Sequence, residues 1–116
     1  MTEYRFSKDA ESLVSLATEG SLVADDVVNA DTTSAFVLTH SQELASDADE
    51  LASVVDSTTP EAGLEMKTMR LALLARRASA QLHTLADHPS DAAVAADVRA
   101  ALRELADLAE ELAKSL

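Results

Sequence analysis

The sequence predicts an all-α protein, an antiparallel up-and-down four-helix bundle formed by one domain over residues 1–116. Leucine, alanine and valine (17, 23 and nine residues) supply most of the apolar surface, and the chain has only two glycines and two prolines. Apolar residues recur every three to four positions in four segments, which is the spacing of one face of a helix. Short polar breaks separate the segments, so consecutive helices must lie antiparallel.

The breaks also predict where each helix starts. We expect helices over roughly residues 7–29, 32–56, 60–87 and 90–115. Asp31 and Ser90 are candidate N-caps of the second and fourth helices, and Pro60 is a candidate first residue of the third. Gly20 either breaks the first helix or permits a close contact with another helix. We expect the first five or so residues to fray.

The predicted core consists of one apolar stripe on each of three helices and of two stripes on the third. The single stripes are Phe6, Ala10, Leu13, Ala17, Gly20, Ala24 and Val27; Val37, Ser41, Leu44, Ala48, Leu51 and Val55; and Val94, Val98, Ala101, Leu105, Leu108 and Leu112. The third helix has Leu64, Leu71, Leu74, Ala75, Ala78, Leu82 and Leu85 on one face, and Met66, Met69, Leu73 and Ala80 on a separate arc. A helix that is apolar on two sides is either unusually buried or has a second partner.

Composition excludes several classes of function. The chain has no cysteine, which rules out disulfides, zinc–thiolate sites, iron–sulfur clusters and thiol catalysis. Two glycines cannot form a glycine-rich phosphate loop, and no glutamate precedes a histidine by three positions as in di-iron bundles. We therefore expect no cofactor and no metal. No apolar run is long enough for a membrane span or a signal peptide, so we expect a cytoplasmic protein without a membrane partner.

The charge is strongly negative and unevenly distributed. The formal net charge is −12, which disfavours nucleic acid and anionic membranes as partners. Residues 1–59 carry 12 acidic and two basic residues, whereas residues 60–116 carry nine acidic and seven basic ones. With no isoleucine, no tryptophan and three lysines, this composition suggests a high-GC genome and a halophilic source.

The third helix contains a basic run in this acidic chain. Four basic residues and no acidic residue occur from Met66 to Ala86. One explanation is that these bases neutralise acids on the second helix, for instance Asp47, Asp49 or Glu50. The other is an interface, because methionine and arginine are enriched at protein–protein contacts. The interface candidates are Met66, Met69 and Leu73, with Arg70, Arg76 and Arg77 around them.

These features predict a non-enzymatic helical protein–protein interaction or assembly module. We expect it to self-associate through the third helix, as a homodimer, or to bind a helix of another protein. The acidic first half is also compatible with a regulatory, antitoxin-like role in which it masks a basic surface of a partner.

Two enzymatic alternatives stay open. Histidine phosphotransfer domains are four-helix bundles with an exposed histidine, and the chain resembles them in architecture, with His40 as the phosphorylated residue. It departs from their pattern after the histidine, where Ser41, Gln42 and Glu43 stand in place of the usual lysine and glycine. The pair Arg77 and His83, with five residues between them, resembles the motif of HEPN ribonucleases. In that family the arginine would hold phosphate and the histidine would act in acid–base cleavage of RNA.

Overall fold

The chain folds into four long helices joined by short linkers. The computed structural model describes all 116 residues, with α1 at Glu3–Val28, α2 at Ser34–Ser57, α3 at Glu65–Asp87 and α4 at Ala92–Lys114. Arg76 pairs with Asp56 and His83 lies near Asp49, so α2 and α3 run in opposite directions. The predicted fold class, an all-α antiparallel four-helix bundle, is confirmed.

The four helices pack as two close pairs. α1 packs closely against α4, and α2 against α3, whereas the α1/α2 and α3/α4 contacts are sparser. Across the diagonals α1 touches α3, but α2 and α4 do not meet. The helices therefore follow one another around the bundle in chain order, and the two loosely packed sides, α1/α2 and α3/α4, face in opposite directions. The molecule measures 47 × 22 × 16 Å.

The predicted core of the first three helices is largely correct. Every residue of the α1 stripe is buried, as are the leucine face of α3 and all of the α2 stripe except Leu51, which is half-buried. Phe6, Leu13, Leu71, Leu82, Leu85 and Leu102 are the largest side chains with no appreciable exposure. None of the four helices combines the length and the apolar character that crossing a membrane requires.

The predicted core stripe of α4 is partly wrong. Val94 and Ala101 are only half-buried and Leu108 is 37% exposed, whereas Leu102 and Ala109, which lie outside the predicted stripe, are buried. The cause is the close packing of α4 against α1, which rotates the buried face of α4 away from α3. Leu108 consequently lies at the surface between α3 and α4.

Two predicted N-caps are wrong by one or two residues. Thr33, not Asp31, caps α2, because its Oγ1 accepts a hydrogen bond from Phe36 N at 3.2 Å. Asp91, not Ser90, caps α4 in the same way, accepting from Val94 N at 3.1 Å. In both cases the residue immediately before the helix has the extended backbone that an N-cap requires.

The start of α3 departs most from the prediction. Pro60 is not its first residue, since the helix begins at Glu65 and residues 58–64 form a linker. Gly63 adopts a φ of 91°, which is incompatible with a right-handed helix and accessible to glycine. The Glu65 carboxylate accepts a hydrogen bond from Gly63 N at 2.9 Å and fixes this turn. The linker thus stops the helix from extending back to Pro60.

The first residues of the chain are more ordered than expected. α1 begins at Glu3, capped by Thr2, whose Oγ1 accepts from Arg5 N at 3.1 Å. The Met1 side chain is buried, and the Met1 carbonyl accepts a hydrogen bond from Glu61 N at 3.0 Å. The Met1 ammonium also donates to the Thr59 carbonyl. These contacts attach the α2–α3 linker to the start of α1.

Gly20 allows close packing and does not break α1. The helix is continuous through this position. A Cβ atom on Gly20 would lie 2.7 Å from Leu82 Cδ2 and 2.9 Å from Leu102 Cδ1, both shorter than a normal contact. Glycine therefore lets the leucines of α3 and α4 pack against the backbone of α1.

Candidate interaction surface

The second apolar arc of α3 lies at the surface. Met66 is 73% exposed, Met69 68% and Leu73 45%. These three residues, here called the α3 strip, follow the spacing of one helix face, and Ala80 continues it. The leucine face on the opposite side of α3 is buried in the bundle. The structure thus separates the two apolar faces as the spacing predicted, and no other part of the chain covers the α3 strip.

The three arginines around the strip have different surroundings. Arg76 forms an ion pair with Asp56 of α2. Arg70 and Arg77 are exposed and form neither an ion pair nor a hydrogen bond within the chain. Neutralisation of α2 therefore accounts for one arginine, through Asp56 and not through the expected Asp47, Asp49 or Glu50. The other two arginines make no polar contact within the bundle.

A groove between α3 and α4 borders the strip. It has a volume of about 600 Å³ and is lined by Lys67, Arg70, Leu73, Leu74 and Arg77 of α3 and by Leu108, Glu111, Leu112 and Ser115 of α4. Lys67 Nζ crosses one end and donates to the Ser115 carbonyl at 2.9 Å. The floor is apolar, the α3 side is basic, and the α4 side carries Glu111. Met66 and Met69 do not line this groove.

A second groove lies between α1 and α2, on the opposite side of the bundle. It has a volume of about 450 Å³, and its apolar lining consists of Leu16, Leu51 and Val54. Asp47 and Glu50 of α2 line it too and make no ion pair within the chain. On the α1 side Arg5 Nε is 3.4 Å from the buried Asp9 carboxylate. The groove thus combines an apolar floor with an acidic α2 wall.

The α1/α2 groove has only a weak signal in the sequence. Leu51 belongs to the predicted core stripe, and Val54 lies one helical turn beyond it. Both are half-buried, because α1 and α2 pack loosely at this level. The looseness depends on the pairing of α1 with α4, which periodicity within one helix does not reveal.

His40 is in contact with two neighbouring side chains. Its Nε2 is 3.1 Å from Glu19 Oε1 of α1, and its ring stacks on Phe36 with 5.3 Å between the ring centroids. A carboxylate at Nε2 would repel an incoming phosphoryl group. The phosphotransfer alternative would require Glu19 to move away from the imidazole.

Arg77 and His83 face different neighbours. Arg77 lines the groove with α4, whereas His83 Nε2 lies 3.5 Å from Asp49 Oδ2 on α2. The two side chains therefore point in different directions, about 120° apart around α3. A ribonuclease site built from both would need the histidine of one copy to meet the arginine of another.

No cluster of three or more histidine, aspartate or glutamate side chains has a geometry that could hold a metal ion. Two buried hydroxyls, Ser41 Oγ and Thr68 Oγ1, lack a hydrogen-bond partner. Neither residue lines a groove described above. Both residues are buried in the interior of the bundle.

Comparison with known proteins gives no match: no family model, no curated protein and no solved structure is significantly similar to this chain.

Proposed function

We propose that this protein is a non-enzymatic interaction module that self-associates through the exposed face of α3. The contact surface is the α3 strip together with Arg70 and Arg77, with Arg76 at its edge. The main support is the exposure of the strip. Three large apolar side chains at helical spacing are exposed to solvent beside arginines that form no ion pair.

The arrangement is typical of a protein–protein contact. Methionine adapts its shape to a partner, and arginine combines a planar donor with an apolar stem, so both are enriched at interfaces. A row of apolar residues on one helix face is the pattern by which helices dock against a partner. An exposed row of this kind lowers the solubility of a free monomer. The bundle does not need the row for its core, since the opposite face of α3 already packs there.

The charge distribution supports a copy of the same chain as the partner. The α3 surface is basic, whereas the chain as a whole has a formal net charge of −12. A second copy therefore offers acidic surface to Arg70 and Arg77. A nucleic acid partner is disfavoured, because the remaining surface would repel its phosphates.

The variant Leu73→Glu tests the proposal. A carboxylate in the middle of the strip would have to be desolvated on association, so we expect self-association to weaken at least about 10-fold. Sedimentation velocity over a concentration series measures the change. At a concentration too low for association, circular dichroism should show the same helix content and about the same unfolding midpoint as the wild type, because residue 73 is exposed.

Leu22→Glu is the matched control. Leu22 is 57% exposed on α1, outside the α3 strip and both grooves, so this change adds the same charge to an exposed leucine elsewhere. It should leave association unchanged. Equal association of Leu73→Glu and the wild type, or a wild type that stays monomeric at all concentrations, would contradict the proposal.

A further inference from the structure

We infer that the α3 strip of one copy docks into the α1/α2 groove of another copy, in a head-to-tail arrangement. The inference rests on the proposed function and names the surface that receives α3. The two surfaces lie on opposite sides of one bundle, so a molecule that donates its strip keeps its own groove free for a third copy.

The two surfaces are complementary in charge. The strip carries Arg70 and Arg77, and the groove carries Asp47 and Glu50; none of the four forms an ion pair within the chain. Glu43 is also exposed and unpaired, and it lies seven residues before Glu50, on the same side of α2. An acidic wall along α2 thus faces whatever enters the groove. Opposite charges of this kind determine the partner and the orientation of an interface.

The spacing of the charges matches. Arg70 and Arg77 are seven residues apart, as are Glu43 and Glu50, and seven residues span about 10.5 Å along a helix. In an antiparallel alignment Arg70 of one copy meets Glu50 of the next, and Arg77 meets Glu43. Both arginines then find a carboxylate in a single register.

The same register matches the two methionines of the strip. With Arg70 opposite Glu50, Met66 comes opposite Val54 and Met69 opposite Leu51, the two α2 residues of the groove floor, whereas Leu73 comes opposite Asp47 at the groove wall. The parallel alignment that pairs the same charges places both methionines opposite the polar residues Thr39 and Gln42. The apolar contacts therefore select the antiparallel register.

A closed dimer through the α3/α4 groove covers less of the strip. In such a dimer Arg70 and Arg77 would meet Glu111 and Glu104 of the second copy. Met66 and Met69, however, do not line that groove. Because a head-to-tail contact leaves one strip and one groove unused in a pair of molecules, it builds rings or open chains that are larger than a dimer.

Charge reversal tests the register. The experiment uses the full chain in sedimentation velocity at about 0.15 M salt, where charges in contact are screened less than distant ones. The strip variant Arg70→Glu with Arg77→Glu and the groove variant Glu43→Arg with Glu50→Arg should each weaken association at least about 10-fold. The variant with all four changes should recover association to within about 3-fold of the wild type, because the pairs are restored with opposite polarity.

Variants on α4 separate the two assemblies. Glu104→Arg with Glu111→Arg should leave association unchanged, and the mass of the wild type should grow beyond a dimer as concentration rises. If the groove variant associates like the wild type while the strip and α4 variants do not, the head-to-tail inference is overturned and the proposed function stands. If the strip variant also associates like the wild type, both are overturned. All substituted residues are exposed, and circular dichroism checks that each variant is folded.

Discussion

Gly20 shows how one residue determines the distance between three helices. Leu82 of α3 and Leu102 of α4 lie closer to its backbone than any side chain would allow, and both leucines have no exposed surface. Neighbouring atoms therefore occupy the space that a Cβ would take. Their packing offsets the loss of helix stability that glycine usually causes.

Gly20→Leu should destabilise the bundle. Leucine is a better helix former than glycine, but its side chain would need space that the two buried leucines occupy, so we expect a loss of roughly 2 kcal/mol or more. Urea unfolding followed by circular dichroism measures the loss. Ala100→Leu, at an exposed position of α4, is the control and should stay within about 0.5 kcal/mol of the wild type. A stabilised Gly20→Leu variant would show that the close contacts of α1 are absent.

The surroundings of individual arginines, such as Arg70 and Arg76, could not be predicted from the sequence. Both stand in one basic run, and neither composition nor spacing tells which of them pairs with α2. The structure pairs Arg76 with Asp56 and leaves Arg70 unpaired, because Arg76 points to the α2 side of α3 and Arg70 to the α4 side. The Arg76 pair is about half exposed, and we expect it to contribute less than about 1 kcal/mol.

The helices themselves could be predicted well from periodicity, whereas their starts could not. Each helix has a strong apolar face, and the structure buries nearly all of the predicted face of α1, α2 and α3 and part of that of α4. The start of each helix depends on which of several capping side chains accepts from its first free N–H groups. Asp31 and Thr33 are both residues that cap helices well, but only Thr33 is placed to accept from Phe36 N. For α3 the turn at Gly63 decides, and the Glu65 carboxylate holds that turn by accepting from Gly63 N.

Thr33→Ala should cost about 1 kcal/mol of stability, because it leaves the Phe36 N–H without its partner. Asp31→Ala is the matched control: the Asp31 side chain caps no helix N–H, so its removal should change stability by less than about 0.5 kcal/mol. Urea unfolding of the two variants side by side makes the comparison. The opposite order of effects would mean that α2 begins at the residue that the sequence favoured.

The orientation of α4 was beyond sequence reasoning for a different reason. Leu108 and Leu102 are both leucines of an amphipathic helix, and either could face the core. The choice depends on the close pairing of α1 with α4, which is a property of the whole bundle. The same difference applies to the candidate interaction surfaces. The second apolar face of α3 is a feature of one helix and could be predicted from the sequence. The α1/α2 groove exists only between two packed helices and could not.

At the scale of the whole molecule, charge is the dominant feature. Residues 1–59 carry 12 acidic and two basic residues, and most of their acids lie on the surface. The cross-helix pairs of Asp25 with Arg99 and of Asp56 with Arg76 neutralise part of this charge. The remainder repels itself in the folded state, and this repulsion opposes both folding and association.

Salt should therefore stabilise the fold. Raising KCl from about 0.1 M to about 1 M shortens the Debye length from about 10 Å to about 3 Å, and we expect a gain on the order of 1 kcal/mol from weaker repulsion. Urea unfolding at each salt concentration is best measured on Leu73→Glu at low concentration, since association then contributes nothing to the free energy of unfolding. Stability that stays constant or falls with salt would contradict the role given to the acidic surface and the halophilic interpretation of the composition.

The central claim is that the exposed face of α3 joins copies of this chain. Sedimentation velocity of the wild type and Leu73→Glu, at concentrations from about 10 μM to about 1 mM, tests it most directly over the range of transient contacts. We predict a wild-type mass that rises with concentration above the 12.2 kDa of one chain and a variant whose mass rises only at concentrations at least about 10-fold higher. A wild type that remains a single 12.2 kDa species throughout, or a variant that assembles equally well, would contradict the account.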